Sequence, residues 1–483
     1  MPMAEENLKK KTARGLLWGG LNNGVQQLLN LVFGIFLARL LSPADYGLVG
    51  MLGIFSLLAT TLQESGFTAA LANRREVRRE DYNAVFWFSA LMGLTLYATL
   101  FAAAPAIARF YRQPVLVPLA RVMFLGFLLS SLGTAHNAWL FRNLMVKQRA
   151  LGQMTALLIS GITGVTLAFM GFAYWGIAAQ SLTYIGVNTL LLWHFSRFRP
   201  MWRIDLRPLR PLLGFSSRIL LTNITLNISH NMLTVILGRF YADREVGHYN
   251  QANKWNMLGF QVINTMVAGV AQPTLVAVGE ERERQTRVFR KMLRFTAFVA
   301  FPALFGLSFV APELITLAIT AKWAFSAQLM QVLCVGSAFS AVNGLYGQLF
   351  VSRGRSRVYL YNTLVLCAVQ LTAMLLCTPL GIMGMVRCYA AIHVVWWMVW
   401  QTLAWREIGL GFGAALKDVV PFALAAAGVM LATHWITRPL TNLYLLLPAK
   451  VVVAAALYGG VMWLSGAVTF RESLQYLFHK KST

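Results

Sequence analysis

The feature that most constrains this chain is an apolar run of about 20 residues that recurs from one end of the sequence to the other. Twenty residues of helix rise about 30 Å, the thickness of a bilayer's hydrocarbon core. In that solvent every backbone N–H and C=O must find a partner within the protein, so only helices and closed barrels cross it. Barrel strands would show segments of about ten residues with alternating polarity, and these runs do not alternate. Composition agrees: 57% of the 483 residues are hydrophobic and 12% are charged, where a soluble domain carries about 25% charged. The chain is predicted to be an all-α polytopic membrane protein.

Fourteen spans are expected, at 16–41, 46–72, 83–108, 116–138, 151–171, 174–195, 214–240, 246–274, 290–311, 326–351, 358–378, 381–404, 417–437 and 446–467. The net charge of +25 would suit a nucleic-acid binder if it gathered on one surface. Instead Lys and Arg come in short clusters between the apolar runs. With alternating sides, 30 of the 42 fall on one face of the membrane and 8 on the other; Arg121, Arg218, Lys254 and Arg387 lie within or at the edge of spans. The positive-inside rule then places both termini in the cytoplasm. The N-terminal segment leads into a span too long for a signal-peptide core and shows no cleavage site, so the first helix is expected to stay. Cys334, Cys367, Cys377 and Cys388 all fall in predicted spans. They make no disulfide framework and no paired metal-ligand motif, and read as small packing residues.

Leu21, Asn23, Leu37, Arg39 and Gly47 recur 200 residues later as Leu221, Asn223, Leu237, Arg239 and Gly247. Six spans per half send both halves into the membrane in the same sense, and parallel repeats of this kind enclose a central path. The expected organisation is a six-helix lobe in 1–212, a second in 213–405, and a peripheral helix pair with a cytoplasmic tail in 406–483.

Asn23, Gln27 and Asn30 share one face of the first span; Asn223, Asn227 and His230 share one face of the seventh. An unpaired amide is costly in hydrocarbon, which leaves two readings: hydrogen bonding between helices, or a polar stripe lining a cavity. Lys254, in line with Asn250 and near Gln261, is read as a cavity cation for an anionic headgroup. Arg121 and Arg387 either join it or snorkel to the interface. Glu64 is the one carboxylate placed deep within a span, while Asp45, Asp243, Glu245 and Glu313 are assigned to the outer side. Glu64 is read either as the coupling group for H+ or Na+, or as a structural partner. His136 and His393 are expected to be satisfied interior histidines. GxxxxGK[ST], GxSxG and HExxH motifs are absent, and the outer loops hold no carboxylate cluster. No cofactor or metal is expected, and a transporter is favoured over an enzyme.

The segments FLARLLSPADYGLVGM, ESGFTAALANR, NAVFWFSALMG, GRFYADREVGHYNQANK and AKWAFSAQLMQVL, in order along the chain, resemble polysaccharide flippases of the multidrug/oligosaccharidyl-lipid/polysaccharide export superfamily, nearest the colanic-acid-exporter type. The resemblance implies about fourteen helices, with two pseudo-symmetric six-helix lobes in a V around a central cavity and two extra C-terminal helices. It implies a bacterial inner-membrane protein that turns undecaprenyl-diphosphate-linked oligosaccharide from the cytoplasmic to the outer face by alternating access. A polysaccharide polymerase and export machinery would be its partners, and no nucleic acid. Related peptidoglycan-precursor flippases carry cavity arginines where this first span has amides, which leaves the phosphate to Lys254 and, at the cytoplasmic mouth, Arg218. The rival functions are a multidrug or small-cation antiporter of the same superfamily, a membrane polymerase or ligase, and a cell-envelope scaffold.

Overall fold

A computed structural model describes residues 2–64, 71, 77–202, 204–205, 207, 231–279, 281–466 and 470. Among these residues there is no β-strand. Nine described helices are long and apolar enough to cross a bilayer, or ten if one bent pair counts as a single span. The protein is a multi-pass membrane protein. Of the fourteen predicted spans, the seventh lies mostly outside the described residues.

The chain divides into two compact units, Met1–Gly247 and His248–Thr483. The first contains α1 (Pro2–Leu40), α2 (Pro43–Glu64), α3 (Arg79–Tyr111), α4 (Leu116–Ser131), α5 (Thr134–Arg142), α6 (Val146–Phe169), α7 (Tyr174–Phe195) and α8 (231–240). Helix α9 (Asp243–Val278) begins in the first unit and continues into the second. The second unit adds α10 (Arg282–Ile319), α11 (Ala324–Ser352), α12 (Ser356–Leu376), α13 (Gly381–Ile408), α14 (Phe412–Thr437) and α15 (Leu443–Leu464).

The predicted span at 116–138 is broken. Helices α4 and α5 meet at 41°, where the Gly133 N–H turns back to the Ser130 carbonyl at 3.0 Å and the Ser131 hydroxyl takes the Leu128 carbonyl at 2.7 Å. Three-residue hydrogen bonds and hydroxyl competition for carbonyls are ordinary causes of a kink.

Two glycines set the tightest approach in the first unit. A Cβ on Gly47 would stand 1.8 Å from the Asp243 carbonyl oxygen, and one on Gly247 would stand 1.7 Å from that of Pro43. The two positions separated by 200 residues therefore cross backbone to backbone, each at the first turns of its helix. Any side chain at either would force the helices apart.

In the second unit the core runs continuously through α9, α10, α11, α13, α14 and α15, from Ile263 and Val267 through Phe289, Phe301 and Tyr346 to Trp400, Val419 and Tyr458. In the first unit a smaller cluster packs Tyr82, Phe86, Ala135, Ala138 and Phe198 around the starts of α3 and α5. His136 lies there, fully buried among the rings of Phe86, Trp193 and Phe198. Neither of its nitrogens has a hydrogen-bond partner among the described residues. It is an interior histidine, as expected, but packed as an aromatic rather than satisfied. His393, by contrast, has its Nε2 3.2 Å from Gln370 Nε2.

Glu313, assigned to the outer side, is buried on α10, and Lys450 of α15, assigned to the same side and itself buried, donates to its Oε1 at 2.6 Å. The Lys450 ammonium also lies 4.3 Å from the Phe309 ring centroid. Pairing explains how both charges tolerate burial.

Candidate functional site

Helix α1 meets α6 along one line. Phe33 fills the space over Gly161, where a Cβ would sit 2.3 Å from the ring. Lys147 lies over the Trp18 ring. Gln153 Oε1 accepts from Asn22 Nδ2 at 2.9 Å and from Gln26 Nε2 at 3.0 Å, and Gln26 also donates to Asn22 at 2.8 Å. These three amides bond between helices, and the sequence reading passed over them. A step of four, Asn22 to Gln26, was visible in an apolar helix; its partner on α6 was not.

The predicted amides behave differently. Asn23, Gln27 and Asn30 are all exposed. At about 100° per residue they share a sector roughly 60° wide. Leu21, Leu28 and Val32 are exposed too, but they lie about 150° around the helix from the amides. Helix α1 thus has three faces: one against α6, one exposed and polar, one exposed and aliphatic.

Helix α9 repeats the pattern within the second unit. Ile263, Val267, Ala271 and Leu275 are buried at a spacing of four. Lys254 and Gln261 are exposed and Asn250 is half-buried, all within one narrow sector, and exposed Thr265 extends it. Exposed Val262, Met266 and Val270 form a separate strip roughly 130° away. The apolar strip was not anticipated, because in an apolar run spacing alone does not tell an exposed strip from a buried one.

A helix with polar and aliphatic strips on well-separated faces can present each to a different surrounding. Exposed amides and an ammonium are costly against lipid tails, whereas Leu, Val and Met suit them. Such a helix belongs at a boundary between a hydrated space and the bilayer. The polar strips offer donors and acceptors for hydroxyl-rich groups, and Lys254 adds a cation.

Other expected site residues stand apart from these strips or outside the described residues. Arg218, Asn223, Asn227 and His230 are not among the residues described. Glu64 is the last described residue of α2, and its side chain is not among those described. Arg121 stacks on Phe101 of α3, its guanidinium carbon 4.3 Å from the ring centroid, and Arg387 is exposed on α13. Among the described residues no group of three or more His, Cys, Asp or Glu could hold a metal ion.

A family profile described as polysaccharide biosynthesis protein matches residues 36–328. The chain is 25% identical over 355 residues to the lipopolysaccharide biosynthesis protein WzxC of Escherichia coli K12, a match covering 72% of this chain and 71% of that one. It is 24% identical over 440 residues to the teichuronic acid biosynthesis protein TuaB of Bacillus subtilis 168, covering 89% and 91% of the two chains. Among solved structures, the lipid II flippase MurJ in its inward closed conformation superposes with a TM-score of 0.74 at 12% identity, covering 95% of this chain and 100% of that one. That likeness establishes the fold.

Proposed function

This chain belongs to the polysaccharide biosynthesis protein family, and from that premise we propose that it is a flippase for lipid-linked oligosaccharide. The substrate is an undecaprenyl-diphosphate-linked repeat unit, carried from the cytoplasmic to the outer face of a bacterial inner membrane. The protein acts as a secondary transporter rather than an enzyme, with both termini in the cytoplasm. Its relatives by name serve lipopolysaccharide and teichuronic acid synthesis, and the shared fold is that of a lipid II flippase.

The observation that carries the reading is the sectored surface of α1 and α9. A flippase must keep sugars and phosphates wet while the lipid tail trails into the bilayer. A helix lining an opening through which the tail passes must therefore show a polar strip and a separate aliphatic one, and α1 and α9 each do. Asn23, Gln27, Asn30 and Gln261 are assigned to sugar hydroxyls, and Lys254 to the diphosphate. Glu64 is assigned to coupling with an ion gradient.

The test uses full-length protein in liposomes with a lipid-linked oligosaccharide, scoring headgroups that reach the opposite leaflet. Lys254→Gln is expected to slow transfer by about tenfold or more, the scale of one lost charge-assisted hydrogen bond, and Lys254→Arg to retain most of it. Wild-type rates in Lys254→Gln would remove the phosphate assignment. Failure of the wild-type protein to move any lipid-linked sugar would remove the flippase reading itself.

A further inference from the structure

The turn between α12 and α13 brings two cysteines together. Cys377 is the residue that ends α12, its N–H bound to the Ala373 carbonyl at 2.8 Å. The turn Thr378–Leu380 follows at once and contains Pro379, which stiffens it. The turn then lies flat on α13, because Gly384 has no side chain: a Cβ there would stand 2.5 Å from Leu380 Cβ. Cys388, four residues beyond Gly384, is on the same face one turn later. Its Sγ is 2.8 Å from that of Cys377, not far beyond the ~2.05 Å of a covalent S–S bond. Both side chains are partly exposed, whereas Cys334 is wholly buried on α11 and Cys367 lies nearly three turns before Cys377 along α12.

We propose that Cys377 and Cys388 are a redox pair that closes into an intramolecular disulfide when a disulfide oxidant reaches this turn. One cysteine thiolate attacks a sulfur of the oxidant RS–SR, forming a mixed disulfide and releasing RS⁻. The second thiolate displaces the remaining RS⁻, so that one S–S bond forms and another breaks. Two electrons pass to the oxidant, and the two thiol protons end on the two RSH products. With the termini in the cytoplasm the turn faces the outer side, where disulfides persist. The bond staples α12 to α13, so that the two helices move as one hairpin.

The pair is well placed for mapping, because Arg387 lets trypsin cut between the two cysteines. Full-length protein is treated with oxidised glutathione, blocked with N-ethylmaleimide and digested without reductant. The expected product is a linked pair of peptides carrying Cys377 and Cys388. Reductant releases it, Cys377→Ser and Cys388→Ser abolish it, and Cys367→Ser keeps it. Recovery of both cysteines as maleimide adducts or as separate glutathione adducts would overturn the proposal. So would a link found only between two chains, seen as a reducible dimer on a gel.

Discussion

Among the described residues of the first unit, several neutral polar groups tie helix to helix and loop to helix. Asn22, Gln26 and Gln153 bond side chain to side chain. Asn83 accepts from the Met201 N–H at 2.7 Å, and the indoles of Trp87 and Trp193 donate to the carbonyls of Met201 and Leu132. In the second unit neutral ties such as Tyr346 to Gln401 are joined by ionic ones. Asp418 of α14 receives Arg290 at 2.6 Å and Arg294 at 3.5 Å. Glu407 of α13 receives Arg353 and Arg355, each at 2.7 Å, and Glu313 holds Lys450. The difference shows two answers to one problem. A neutral amide is cheap to bury and weak to lose. A carboxylate costs more to bury but leaves a stranded charge when its partner is removed.

That contrast predicts an order of effects. The largest belongs to Lys450→Ala, which strands a carboxylate on α10: a loss of about 3–5 kcal/mol is expected in detergent unfolding. The double change Glu313→Leu with Lys450→Met should return close to wild type, since burying a matched apolar pair is often neutral or better. If Lys450→Ala alone is silent, the ionic half of the comparison is wrong. Asp418→Asn comes next, at about 1–2 kcal/mol, because its arginines are 36% and 39% exposed and water screens what they lose. Raising salt from about 0.1 M to about 1 M, which contracts the Debye length from about 10 Å to about 3 Å, should shrink that penalty further. The smallest effect is expected for Gln153→Leu. Asn22 and Gln26 still have each other, so the loss should be near the ~0.6 kcal/mol typical of a hydrogen bond between membrane helices. A Gln153→Leu penalty as large as that of Lys450→Ala would erase the distinction.

Much of this was readable before the structure. The span lengths and basic clusters identify a multi-pass helical protein, because backbone hydrogen bonding leaves no other option in lipid. The face shared by Asn23, Gln27 and Asn30 follows from helical spacing alone. The pairing of Glu313 with Lys450 was not readable: 137 residues separate them, and each taken alone resembled a residue at the membrane edge. Cys377 and Cys388 read as packing residues because nothing local shows that Gly384 seats the turn against α13. Asn22 and Gln26 were overlooked although they stand beside predicted residues, since a step of one residue turns a side chain about 100° toward a different neighbour.

The sequence by itself therefore determined the solvent, the helical class, and which polar residues share a face along a single helix. These depend on composition and on a period built into the backbone. Tertiary structure alone decided which faces are covered, which charges meet and which thiols touch. Those outcomes depend on distances between segments remote in the chain, and no local rule carries them.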